Sequence, residues 1–104
     1  MAITNFQVGT GTGSAAFTAS ASTAITAMYI TNKSSSDGNV DVYVVPSGST
    51  VNENFKVYNT LLVPAQDTYV IHSEKLILET GDKIYIAAPD SSAQFNATIS
   101  TIGL

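Results

Sequence analysis

Short runs of β-branched and aromatic residues recur along this chain between clusters of Gly, Asp, Asn, Ser and Pro, and helical periodicity is absent nearly everywhere. Runs of that length and patterning are the signature of strands, so the sequence predicts an all-β domain. Eight or nine strands are readable: Ile3 to Val8, a weak one over Ala15 to Ala19, Ala24 to Thr31, Val40 to Val45, Phe55 to Val63, Thr68 to His72, Leu76 to Leu78, Lys83 to Ala87 and Gln94 to Ile102. Strands this short and this closely spaced suit one antiparallel β-sandwich or a jelly-roll-like domain of about eight strands, with no long helix. The alanines of Ala15 to Ala27 favour helix, but Thr18, Thr23, Ile25 and Thr26 oppose it.

Side-chain alternation assigns faces. Val40, Val42 and Val44 point to the core, with Asp41 and Tyr43 opposite. Phe55, Val57, Leu61 and Val63 share one face of their strand, and Lys56, Tyr58 and Thr60 the other. Ile84 and Ile86 point inward, as do Phe95, Ala97 and Ile99, which alternate with Asn96, Thr98 and Ser100. In the third run Ile25, Ala27 and Tyr29 lie on one face and Met28 and Ile30 on the other. Neither face is polar, which places this strand centrally or against a partner. Asp37-Gly38, between two strand-like runs, predicts a hairpin.

A chain of 104 residues builds one core, here a single domain over 1–104 with 1–23 as a looser N-terminal arm. Charged residues are only 12% of it, about half the usual share. Thirteen Thr, twelve Ser and seven Asn take their place. Four Lys, no Arg and eight acidic residues give a net charge of -4, which opposes nucleic acid as a partner, because tracking phosphates requires basic side chains. An anionic membrane surface is disfavoured for the same reason. Without cysteine there is no disulfide, thiolate zinc site or thiol nucleophile. No secretory signal is expected, and no stretch approaches the roughly 20 apolar residues of a membrane span. The sequons at Asn32 and Asn96 are coincidental matches in a chain this rich in Ser, Thr and Asn.

Candidate chemistry is sparse. His72 is the single histidine, so a multi-histidine metal site is excluded and an acid/base pair would need Asp67 or Glu74. No Gly-x-Ser-x-Gly turn exposes a serine nucleophile. Asp37-x-Asn39-x-Asp41 imitates the start of a calcium loop, but Val42 stands where glycine is required and Gly48 where the bidentate Glu belongs. Gly9-Thr10-Gly11-Thr12-Gly13 lacks the Lys and the following helix of a phosphate cradle and reads as a flexible connection. No cofactor, metal or catalytic residue is expected, and the chain is read as a non-enzyme. Tyr43, Tyr58 and Tyr85 fall opposite the main core face. Exposed sheet tyrosines serve a protein interface, a glycan platform or ordinary cross-strand packing.

Four segments carry a resemblance: Ala24 to Asn32, a strand ending in Thr-Asn; Val40 to Gly48, a Val-rich strand closing on Pro-Ser-Gly; Leu61 to Tyr69, an aliphatic turn ending in Asp-Thr-Tyr; and Glu74 to Ile84, with its Lys-Leu-x-Leu-Glu-x-Gly-Asp-x-Ile pattern. Over roughly residues 24 to 100 the chain resembles small β-sandwich virion proteins of tailed bacteriophages. Such proteins serve as capsid decoration (cement) proteins or as small neck or tail components, and the resemblance brings no catalytic residues. Gln66 stands where the pattern usually has glycine, a departure expected to alter the turn geometry.

Together these readings predict a virion protein assembled in the host cytoplasm, where a cysteine-free chain is at no disadvantage. It would form a homo-oligomer, a trimer by preference, and bridge capsid subunits or other virion proteins. The candidate interface is Met28, Tyr29, Ile30, Tyr43, Tyr58 and Tyr85.

Overall fold

The structure, a computed structural model, describes residues 2–72, 76–89 and 94–104. Nine strands form in the order β1 (Ala2–Val8), β2 (Phe17–Thr18), β3 (Thr23–Asn32), β4 (Gly38–Val45), β5 (Lys56–Val63), β6 (Thr68–Ile71), β7 (Leu76–Leu78), β8 (Lys83–Ala87) and β9 (Phe95–Gly103). A 3-10 turn at Glu53–Phe55 precedes β5. Each strand coincides with one of the runs in the sequence to within a few residues at its ends.

Two antiparallel sheets divide the strands. The first, sheet A, runs β1-β9-β3-β6, with β7 pairing β3 beyond the end of β6; sheet B runs β2-β8-β4-β5. Most chain connections therefore cross from one sheet to the other, which is jelly-roll connectivity. The Asp37-Gly38 turn is such a crossing and not the expected hairpin, since β3 and β4 lie in different sheets. Asn32 explains why. Its amide is fully buried, donating from Nδ2 to the carbonyls of Ser36 and Val63, while Oδ1 accepts from the Ser34 amide and hydroxyl. Three of these four groups belong to the crossing itself and the fourth to β5, so the buried amide is satisfied only with the crossing held against β5. Residues 2–8 are not a looser arm: β1 pairs β9 along its whole length.

The core lies between the sheets. Met28, Ile30, Val40, Val42, Ile84, Ile86, Phe95 and Ile99 are among its fully buried members, each contributing on the order of 1.5–3 kcal/mol by leaving water. Inward valines on β4 and the inward set of β9 follow the alternation. Two departures have one cause, β-bulges, in which one extra residue reverses the facing of every later position on the strand. On β3 the register slips between Ile25 and Ala27, so Ile25 faces the core with Met28 and Ile30 rather than sharing a face with Ala27 and Tyr29. The bulged Thr26 donates its hydroxyl to Ser100.

On β5 two slips occur, between Leu61 and Tyr58 and between Tyr58 and Lys56. Tyr58 is thereby turned toward the core and Val57 outward, the reverse of the alternating pattern, while Leu61 and Val63 point inward as expected. Thr60, in the first bulge, has φ 58, and its amide donates to Asp41 Oδ1 at 2.7 Å. A β-branched residue is strained in that region, so the carboxylate holds what the side chain resists. Gln66 has φ 56, in the left-handed region that glycine enters without strain.

Candidate interaction surface

The outer faces of the two sheets differ in kind. On sheet A, cross-strand pairing sets the exposed side chains in rows. Ile102, Ala24 and Ile77 form one, and Ile3, Ser100 and Ala27 the next. Asn5, Thr98, Tyr29 and Val70 make the third, and Gln7, Asn96, Thr31 and Thr68 the fourth. None of these strand residues is charged. Apolar exposure concentrates at one end, where Ile3 is 67% and Ile77 63% accessible, and grades into hydroxyl and amide groups at the other. Asn5 Oδ1 accepts from the Thr98 hydroxyl, and Thr31 and Thr68 share a hydrogen bond. A neutral sheet face with exposed aliphatic residues, one tyrosine and pairable side chains is suited to protein contact.

Sheet B covers the middle of its outer face and leaves Val57 and Leu62 of its edge strand β5 exposed. Tyr43 and Tyr85 are cross-strand neighbours there, and with Val45 and Ala87 they pack under Val51 and Phe55 of the segment between β4 and β5. Polar groups fasten the same segment. Lys56 Nζ lies 3.4 Å from Asp41 Oδ2 and 2.9 Å from Glu53 Oε1, and 5.7 Å above the Tyr43 ring, whose hydroxyl donates to Glu53. Burial pushes the Tyr43 phenol above its usual range, and the Glu53 carboxylate holds Lys56 protonated above its own. At the far end of the segment, Asp82 accepts from the amides of Ser47 and Glu79, which draws its carboxyl below the ordinary range. Gly81 beside it has φ 91, and a Cβ there would collide with the Ser47 hydroxyl.

The six interface candidates scatter over this architecture. Tyr29 alone stands exposed on the outer face of sheet A, 42% accessible. Met28 and Ile30 are core residues, on the inward side of the alternation that leaves Tyr29 outside. Tyr43 and Tyr85 face away from the main core but are covered by the 46–55 segment. Tyr58 is turned in by the β5 bulges and, with Met28, Val57, Ile71 and Leu76, lines an apolar cleft of about 240 Å³ between the edges of the two sheets. Sequence reasoning passed over Ile3, Val70, Ile77 and Ile102. The signal was present on β1 and β9, where the alternation that sends Phe6, Val8, Phe95 and Ile99 inward leaves Ile3 and Ile102 outside.

The weaker candidates separate in space. Asp37 accepts from the Ala65 amide, while Asp41 binds Lys56 and Thr60 on the outer face of sheet B, so the calcium-like spacing makes no cage. Among the described residues no three His, Cys, Asp or Glu side chains group as metal ligands. His72 is exposed at the end of β6, and Asp67 accepts from the Thr68 amide. Glu74, the other named partner of His72, lies outside the described residues. The Gly9–Ser14 segment leads into β2 and not into a helix. Asn32 is inaccessible to modification in the folded chain. Among the described residues no helix is long and apolar enough to cross a membrane. Comparison with protein-family models, curated proteins and solved structures yields no match. The surface chemistry of this chain's own residues therefore carries the functional reading.

Proposed function

We propose that the protein is a non-enzymatic virion component, a capsid decoration or cement protein of the tailed-bacteriophage kind, that docks on the assembled lattice through the outer face of sheet A. The observation that carries the proposal is the charge-free face itself, with Ile3, Tyr29, Val70, Ile77 and Ile102 exposed on paired strands. In a chain of net charge -4, a face without charge meets another protein with little desolvation penalty. The sequence resemblance supports the same reading. Its mechanism is mass action: a module that binds the assembled lattice and not its separate subunits stabilises the lattice, and many copies make weak single contacts sufficient.

The test is to purify particles that carry this protein and locate it by cryo-electron microscopy together with its copy number. Density at regular capsid positions in many copies, with sheet A against the lattice, is the expected result. A handful of copies at the neck or tail would overturn the capsid assignment.

A further inference from the structure

We propose that β1 is a self-pairing edge: two copies of the chain join antiparallel along Ala2–Val8, about a two-fold axis at Asn5, and fuse their sheets A into one continuous sheet. This goes beyond the virion reading and stands or falls separately from it.

The open side of β1 is the first observation. Among the described residues β1 pairs only β9, and the backbone hydrogen bonds outside the ladders reach no residue of Ala2–Val8. A row of unpaired N–H and C=O groups is a template for another strand, which is why sheet edges are commonly shortened, bulged or charged. The other edges of this molecule carry such devices. β2 has two residues, β6 and β7 have four and three, and β5 holds two bulges and Lys56. β1 has none of them. It runs seven residues in unbroken register, without charge, glycine or proline.

The strand also fits itself. Pairing about Asn5 is the register that uses all seven residues, and it preserves both faces, since the paired positions are two, four or six apart. Ile3 then lies opposite Gln7 on the outer face, and Thr4 opposite Phe6 and Ala2 opposite Val8 on the inner. Phe6 and Val8, half-buried at the rim of the core, gain cover from the second copy. Copies with a net charge of -4 repel, but this strand brings no like charges together. The contact is isologous and closes on two copies. Each β1 has one free side, so this edge cannot build the trimer expected from the sequence.

Sedimentation velocity of the full chain from roughly 1 μM to 1 mM, a range suited to a contact of this limited size, is expected to show a dimer that grows with concentration. Asn5→Lys and Asn5→Asp each set like charges against each other at the two-fold axis, and each should weaken association at least about tenfold. Mixing the two variants should restore pairing in a salt-sensitive way, which misfolded chains would not do. Hydrogen exchange on the unsubstituted chain supplies a second readout: amides of Ala2–Val8 gain protection with concentration while those of β5 do not. A monomer throughout the range, a mixture that fails to recover, or exchange at β1 independent of concentration would overturn the proposal.

Discussion

The outer faces of sheets A and B start from the same material, antiparallel strands of one hydroxyl-rich chain, and end as opposites. Sheet B gathers Asp41, Lys56, Glu53 and Tyr43 around the segment that covers it. Sheet A leaves its strands bare and neutral. Charge in this molecule holds the chain to itself on one side, and its absence leaves the other side open to a partner. The buried Asp41 carboxylate fastens the chain to itself, and the exposed isoleucines lie on the face proposed for contact.

The sharpest way to break that contrast is a matched pair of tyrosine truncations. Tyr43, 7% accessible under its covering segment, should lose about 3 kcal/mol of folding stability on replacement by Ala, a drop of roughly 15 °C in Tm. Tyr29→Ala should change stability by less than about 0.5 kcal/mol and yet reduce lattice binding at least roughly tenfold. Differential scanning calorimetry and capsid pull-down measure the two. If Tyr29→Ala unfolds the chain or leaves binding intact, the division between the faces fails.

A smaller effect is expected from the fastening itself. Asp41→Ala leaves the Thr60 amide without its acceptor and removes one of the two carboxylates beside Lys56, for a loss of about 2 kcal/mol, visible as a lower urea midpoint with unchanged slope. Truncating Asn5 or Thr98, a hydrogen-bonded pair on the open face, should change stability by less than about 0.5 kcal/mol.

The smallest effect is the pH dependence, and both of its limbs belong to the B side. Asp82 has its folded pKa lowered by the Glu79 and Ser47 amides. Its stabilisation is complete above the unfolded value, about 4, and is lost as pH falls through the folded one. Tyr43 and Lys56 have folded values raised above 10.0 and 10.5, so their contribution is present below those values and fades as pH rises through the folded ones. Thermal melts from about pH 2 to 11 should show the acid limb flattened by Asp82→Asn and the alkaline limb by Tyr43→Phe.

The strands were legible because each carries its own alternation between turn residues, and β4, β8 and β9 could be assigned inner and outer faces directly. Parity after a bulge was not legible: Thr26 and the Asn59–Thr60 step look like any other strand residues, and only pairing with a second strand reveals the slip. That is why Ile25, Val57 and Tyr58 fall on faces that alternation does not give. The crossing at Asp37-Gly38 was hidden likewise, since its determinant, Asn32, acts through Val63 on a strand not yet formed. The scarcity of charge was plain in the sequence. Which face it would leave bare depended on sheet order, which the alternation of single strands does not contain.

The pairing of β1 with β9, from Ala2 opposite Thr101 to Val8 opposite Phe95, has a consequence for synthesis. β1 is made well before β9, its partner among the described residues, and contacts this distant in sequence form slowly. Until β9 emerges, β1 lacks the partner that sets its register and separates an inner from an outer side. Synthesis of β9 is thus the step at which both the β1 edge and the outer face of sheet A become complete.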